Sequence, residues 1–541
     1  MIDYLPKVKE TEMNKKSNLF GDQSASTRLR EVSDGTKQTV RQSYGGFYVK
    51  NETQKNSINS ALSRVRAGGS VVPMKTRHRP IYPLQQCPEL PHTTGYQLCS
   101  AWPSFGGVDN TNRRLSPFLG SQTGVFKWIT EINTNKYVVT STPIIDEYGN
   151  MYVAYTYKGT PYVGFLAAFD KNGKLRSTFT LPGTGPNVGD YINNATPVIG
   201  NDGTLYFGTN YGNFYALSVF GRLKWSFTDP TNSGQSVSIQ SPVMIGLDET
   251  IYFATSNNTS GYGSVYALNV NGQVKSGWPF RTQTHIQDST HSTTRMYIRK
   301  GMALAGNSVL VVGQGIYGSG SYGMLFCLSS EGGLNGYYNT IGLRNNAVIN
   351  SLPVLSQDQK TVYLGIDNQA TTEFIIVALD AFSGVVKWTY ANTSFHFSNQ
   401  SIALDGEGNL YFSVNVNNKG TLFSLDSIGH YRWQYTVGSA YYTSSLDCTP
   451  VVGKDGLIYF SGSYVIRTDT HTVDGLGNEI YTYATYGEMY ALKPNGVLAW
   501  NVTLGAGYTP LFSPMIDGNN TVYTAALLSG SDGYSNLYAF N

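Results

Sequence analysis

The densest group of side chains able to do chemistry lies between Thr284 and Arg295, where His285, Asp288, His291 and Arg295 stand close together. Two imidazoles, a carboxylate and a guanidinium could hold a metal ion or an anion. Their His-x5-His spacing matches no zinc pattern, however, and a solvated polar loop is the alternative. Asp146, Asp202, Asp455 and Asp517 recur along the chain. Carboxylates in pairs suit acid–base work, but these four stand at recurring turns, where Asp accepts nearby backbone N–H groups, and they are read as structural. His396, within Ser394-Phe395-His396-Phe397, reads as a packed histidine. The stretch Tyr464 to Tyr486 adds Arg467, Asp469, His471, Asp474, Glu479 and several tyrosines, either as a long hairpin or as a tyrosine-rich contact surface. Four cysteines, Cys87, Cys99, Cys327 and Cys448, form neither a disulfide framework nor a zinc pattern. A Cys87–Cys99 bridge across a short loop is left open by spacing alone. No phosphate-binding loop, nucleophile elbow, His-Glu-x-x-His or dinucleotide fingerprint stands in a fitting context.

The elements that would carry these residues are strands. Forty tyrosines, 59 glycines and only 13% charged residues suit an all-β chain, because aromatic side chains fit pleated surfaces and glycine supplies tight turns. Residues 1–100 hold 15 Lys and Arg against 8 Asp and Glu, while the remaining 441 hold 23 against 27. A basic arm, residues 1–100, therefore precedes a nearly neutral body, residues 101–541. The basic charges of the arm are scattered rather than clustered, which argues for a solvated tail and against nucleic acid. The arm is poor in large apolar residues, so most of it cannot offset its own ordering entropy. Ile58, Leu62 and Val65 share one face of a short helical patch from Ser57 to Arg66, and Gly68-Gly69 stops it. Pro73, Pro80, Pro83, Pro88 and Pro91 then favour extended chain. The arm reads as a strap ordered by a partner. Met1–Lys7 shows no basic region leading into an apolar one, and no apolar run reaches the roughly 18–20 residues of a membrane span. A soluble, cytosolic-type protein is the expectation.

The body is repetitive. One unit runs from Thr196-Pro197-Val198-Ile199 through Asn201-Asp202-Gly203, Thr204-Leu205-Tyr206-Phe207-Gly208 and Asn213-Phe214-Tyr215-Ala216-Leu217 to Gly221-Arg222-Leu223-Lys224-Trp225. It translates into four short strands, with proline tolerated at the start of the first and an Asp-Gly turn closing the first hairpin. The opening recurs at Thr142-Pro143, Ser241-Pro242, Leu352-Pro353, Thr449-Pro450 and Ser513-Pro514, with worn copies at Gly301-Met302 and Gln400-Ser401. Tryptophan closes units at Trp225, Trp278, Trp388, Trp433 and Trp500. The last copy stops at Leu537-Tyr538-Ala539-Phe540-Asn541 without its closing phrase, and that phrase stands ahead of the first copy as Gly124-Val125-Phe126-Lys127-Trp128. A ring closes in this way, with the early strand completing the last sheet and hiding open edges. Eight openings predict an eight-bladed β-propeller. The degenerate fourth copy leaves seven as the alternative.

The unit resembles the PQQ-like repeat of quinoprotein dehydrogenases and of the outer-membrane assembly scaffold. Trp102-Pro103-Ser104-Phe105-Gly106-Gly107, continuing to Asn110-Thr111-Asn112-Arg113, is similar to the lead-in before the first blade of such proteins. The resemblance implies an all-β propeller over residues 101–541, in which His285, Asp288, His291 and Arg295 would lie at one mouth of the channel. It implies little about function, because one such fold hosts many. A dehydrogenase of this family would use PQQ with calcium, and its members carry adjacent cysteines over the quinone. The chain has no Cys-Cys pair, and no calcium ligand set can be carried over residue by residue. The expectation is a non-enzymatic scaffold with protein partners and no cofactor, and a quinone-dependent dehydrogenase is the alternative. Asn59 to Pro73 resembles N-terminal segments on proteins of large DNA viruses, which implies a virion-borne role with virion components as partners.

Overall fold

The computed structural model describes residues 94–541, apart from 98, 133–136, 160–161, 183–188, 193–194, 233–236, 286–294, 318–319, 341–345, 369–372, 394, 398–400, 439–442, 447, 474–478, 511 and 529–533, together with 30–31 and 37–38. Two compact units are separated between Arg77 and His78. In the first, Arg30–Glu31 pairs antiparallel with Lys37–Gln38. The helical patch read at Ser57–Arg66 lies outside the described residues, as do Cys87 and the segment Asn59–Pro73.

The second compact unit is built from antiparallel four-strand modules. One runs Val198–Ile199, Leu205–Gly208, Asn213–Leu217 and Leu223–Thr228, hydrogen-bonded in that order. This is the second module. The first covers 137–180 and the third to seventh cover 237–281, 295–339, 347–393, 395–436 and 443–506. The eighth takes three positions from 508–540, and its outer strand is Phe126–Ile132, paired antiparallel with Ser535–Phe540. The third and fourth modules share one sheet through a single parallel pairing, Tyr262 with Met296.

Burial explains the composition. In the second module the three inner strands are almost wholly buried, whereas the outer strand alternates between exposed and half-buried positions. Successive side chains of a strand point to opposite faces. In the first module Met151, Val153 and Tyr155 join the core shared with the eighth module, and Tyr152 and Ala154 join the core shared with the second. Each such sheet is therefore apolar on both faces, which is why runs such as Met151–Tyr155 show no polar alternation.

The inner strand is split at the opening phrase, in the sixth copy without a proline and elsewhere beside one. Pro143 offers no N–H, and Tyr137–Val139 and Ile144–Ile145 are separate pieces, each paired to Met151–Tyr157. The fourth copy lacks that proline, and its inner strand, Arg295–Ala305, runs unbroken with a register shift between Tyr297 and Gly301. The third copy departs at its other end. Pro279 follows Trp278, and the outer strand shrinks to Phe280–Arg281. The stretch from Tyr464 to Tyr486 forms a long hairpin, Ile458–Val473 with Glu479–Leu492.

Candidate functional site

Two sets of contacts hold the modules together, and both begin with residues whose spacing repeats. The first is the closing tryptophan. In most outer strands a bulge leaves one residue unpaired just before this position. Trp225 then pairs with Ala216, and Trp388, Trp433, Trp500 and Trp128 pair with Ala378, Ser424, Ala491 and Ala539. The partner is small because the indole covers its face of the sheet. Each indole N–H donates to a turn carbonyl of the next module: Trp128 to Lys171 at 3.0 Å, Trp225 to Val270 at 2.8 Å and Trp278 to Ser330 at 3.1 Å. Trp388 reaches Ser427 at 3.3 Å, Trp433 reaches Pro494 at 2.9 Å and Trp500 reaches Ser121 at 3.1 Å. The ring lies flat on a turn glycine. A Cβ on Gly272, Gly429 or Gly496 would stand 2.7 Å from the indole, and each glycine has positive φ.

The unpaired residue of the bulge is often basic and folds back over its own sheet. Lys224 Nζ donates to Asp202 at 2.8 Å, and Lys127 Nζ donates to Thr521 at 2.9 Å. Arg432 donates to the hydroxyl of Tyr411 at 3.0 Å.

The second set of contacts is the lead-in, residues 95–118, which hydrogen-bonds along the inner strands of successive modules. Backbone bonds run from Ile145 N to Trp102 O at 2.8 Å, from Ile199 N to Pro103 O at 3.0 Å and from Gly95 N to Ile245 O at 3.1 Å. Others run from Leu304 N to Asn110 O at 3.1 Å, from Leu355 N to Thr111 O at 2.9 Å, from Leu404 N to Arg113 O at 2.9 Å and from Val452 N to Arg114 O at 3.0 Å. Asn112 Nδ2 donates to the carbonyls of Met302 and Pro353, at 2.8 and 3.0 Å. Arg114 is fully buried, and its guanidinium donates to the carbonyls of Pro450, Phe105 and Pro514 while lying over the rings of Trp102 and Phe105. Among the described residues no carboxylate is paired with this charge. Burial holds its pKa down to about 9, so the group is still a cation at neutral pH. Asn112 and Arg114 sit at φ +59° and +53°, a strained region for residues with a side chain.

The turn aspartates occupy two different places in one turn. Asp146 and Asp517 stand first, and Asp146 accepts from the backbone of Tyr148 and Asn150 and from the hydroxyl of Tyr152, at 2.9, 2.8 and 3.0 Å. Asp517 accepts from Asn519, Thr521 and Tyr523 in the same way. Where glycine stands first, as at Gly200 and Gly453, the aspartate comes two residues later, as Asp202 and Asp455. Burial pushes the Asp146 carboxyl upward despite its donors, and these oxygens are engaged in holding the turn.

The polar group read from sequence is only partly described. Arg295 opens its strand, exposed, with its guanidinium 3.4 Å from the Tyr297 hydroxyl. His285 ends the short helix Thr282–His285, while its side chain, Asp288 and His291 lie outside the described residues, as does the His396 side chain. Cys99 is disulfide-bonded, and Cys327 and Cys448 are buried thiols. Among the described residues no three His, Cys, Asp or Glu side chains are grouped to hold a metal ion. Asn110, Asn112 and Arg114 spend their donors on backbone carbonyls, and the first-position aspartates are bound to N–H and O–H groups. Among the described residues no carboxylates are grouped to hold the calcium ion that a quinone site of this kind would use.

The lead-in shows in the sequence, but the roles of Asn110, Asn112 and Arg114 do not. The only signal was a polar run set against Trp102 and a Gly-Gly pair. Lys300 likewise carries no signal in the sequence. It stands in the worn fourth opening, at the place Ser351 takes in the fifth, and burial lowers its amine to about 8 while Asp367 acts the other way.

Residues 263–476 match the family model described as outer membrane protein assembly factor BamB. No curated protein matches the chain. Solved structures similar to it include BamB from Moraxella catarrhalis, at 14% identity and TM-score 0.43, covering 76% of this chain and 98% of that one. The Dos1 propeller is similar at 13% identity and TM-score 0.49, covering 78% of this chain and 98% of the other. Over residues 263–476 the repeats are similar to those of PQQ-like β-propellers.

Proposed function

We propose that the chain is a non-enzymatic, protein-binding scaffold: an eight-bladed propeller, residues 101–541, closed by the strand that carries Phe126, Lys127 and Trp128. The pairing of Phe126–Ile132 with Ser535–Phe540 supports the closure, and the succession of modules bonded to the lead-in supports the count. The observation that carries the binding reading is at the periphery. Val125, Phe382, Val385, Ile428, Tyr431 and Val497, on turns and outer strands of the fifth to eighth modules, are all more than half exposed. Exposed apolar groups rimmed by polar residues are what a protein-binding face uses, and these side chains are the ones such a face would offer here. The arm, residues 1–100, is the proposed tether, and the resemblance of Asn59–Pro73 supports placing the scaffold in a virus particle. Among the described residues no helix is long and apolar enough to cross a membrane.

Affinity capture tests the reading. The full chain and a variant lacking 1–77, which spares the lead-in, are compared for the proteins they retain. A stoichiometric partner kept by the full chain supports the scaffold, and its loss from the shortened chain supports the tether. A full chain that retains no protein overturns both.

A further inference from the structure

The series of tryptophan contacts is interrupted twice. Opposite Ala168 in the first module stands Ser177, and opposite Cys327 in the fourth stands Gly336, where the other modules with a full outer strand have an indole. The receiving turn of the second module is intact, with Ser218 N–H on Arg222 O and Gly221 N–H on Ser218 O, and that of the fifth keeps its glycine but is one residue longer, with Asp380 N–H on Val385 O and Gly384 N–H on Asp380 O. Gly221 and Gly384 keep positive φ, +75° and +69°. The carbonyls of Val219 and Phe382 stand two residues before them, where the filled turns place their acceptors at Lys171, Val270, Ser330, Ser427 and Pro494.

The space is open as well. A Cβ on Gly221 would meet only Phe179 Cβ, at 3.7 Å, and one on Gly384 only Tyr338 Cβ and Tyr337 O, at 3.9 and 4.0 Å. A Cβ on Gly336 would meet nothing within 4 Å. The rims are apolar: Tyr337 is 53% and Phe382 54% exposed beside the second gap, and Leu175 and Leu223 are exposed beside the first.

We propose that these two places are docking sockets for a tryptophan side chain presented by a partner protein. The occupant is fixed by continuity with the established interface between modules. The chain itself shows what such a turn takes: an indole lying on the glycine with its N–H on the carbonyl two residues earlier. An aromatic side chain with one donor brings a large apolar area and a single polar contact, the combination that concentrates binding energy at protein interfaces. The proposal rests on the scaffold reading and names the chemistry of the partner that reading requires.

The test uses the full chain and a 5-fluorotryptophan-bearing tripeptide, Gly-Trp-Gly amide, followed by fluorine NMR. Saturable shift and broadening in the millimolar range are expected, as suits one side chain without a surrounding interface. In the Ser177→Trp/Gly336→Trp double variant the chain fills its own sockets, and binding falls at least about tenfold. Ser177→Trp alone halves the number of sites. No broadening with the wild-type chain, or equal broadening with the filled variant, overturns the proposal. A tryptophan variant that fails to fold, read by circular dichroism, also overturns it, because a socket shaped for an indole accepts one. Failure here is distinguishable from failure of the scaffold reading. A partner captured equally by the filled variant leaves the scaffold standing and sinks the sockets. Peptide binding without any captured protein supports the sockets and sinks the scaffold.

Discussion

The indole N–H of Trp500 donates to the carbonyl of Ser121, 3.1 Å away across 379 residues of chain. The turn that receives it leads directly into Phe126–Ile132, the strand paired to Ser535–Phe540. This contact repeats, across the junction between the two ends of the array, the one that every other closing tryptophan makes with the module after it.

Two substitutions separate the parts of that contact. Trp500→Phe keeps a ring on Gly124 and removes the donor, so a loss of about 1 kcal/mol is expected. Trp500→Ala also empties the space and is expected to cost about 3–5 kcal/mol. Urea unfolding followed by tryptophan fluorescence reads both. Equal losses would mean that the ring contributes nothing beyond its hydrogen bond.

The glycines under the indoles supply an internal control. Gly272→Ala and Gly496→Ala place a methyl group against Trp225 and Trp433 at positive φ, and each is expected to lose more than about 1 kcal/mol. Gly336→Ala adds a methyl group in open space, and a change within about 0.5 kcal/mol is expected. Thermal unfolding of the three variants side by side checks the ordering.

Arg114→Met removes a buried cation and leaves the carbonyls of Pro450, Phe105 and Pro514 without this donor. Each orphaned carbonyl costs about 1–3 kcal/mol, against which the relieved burial of charge works in the opposite direction. The expected net loss is about 2–4 kcal/mol, and Arg114→Lys, with a single ammonium in place of the fork, recovers less than half of it. Hydrogen exchange at Val452 and Ser116, whose N–H groups bond across this region, is expected to quicken in both variants.

Glu147 gives a pH signature. Burial, with the Asp146 carboxylate second, raises its pKa to about 7 from 4.5, while Gln97 bonds it reciprocally. A carboxyl group whose folded pKa is raised favours the fold when protonated. Its stabilising share is therefore complete below about pH 4.5 and is lost as pH rises through about 7. Melting temperatures across pH 4 to 8 are expected to show this decline in the wild type and a flatter profile in Glu147→Gln.

Much of this architecture is legible in the residues. Thr196-Pro197 marks the opening of a module, Asn201-Asp202-Gly203 marks a hairpin, and Ala216 opposite Trp225 is a small residue under a large one. These are local patterns, and local sterics fix them. The lengthened hairpin after Tyr464 was readable for the same reason. The lead-in was not. Asn112 and Arg114 bind backbone carbonyls, which carry no residue-type signature, and their partners lie hundreds of positions away. Likewise the two places taken by turn aspartates separate only when strand register is known. In sequence Asp146 and Asp202 look equivalent, although glycine at position 200 has moved the carboxylate. The gaps at Ser177 and Gly336 become visible only through the pairings with Ala168 and Cys327.

The Arg114 guanidinium waits for an acceptor at Pro514, 400 positions further along. A ribosome making this chain therefore releases the hub long before the module that completes it exists. Until then the guanidinium has its near acceptor, Phe105, and lacks the distant ones, Pro450 and Pro514. Contacts so distant in sequence make such a fold slow to assemble. They also tie the centre to the full length of the array: a chain broken off before Pro514 lacks one of the three carbonyls that Arg114 holds.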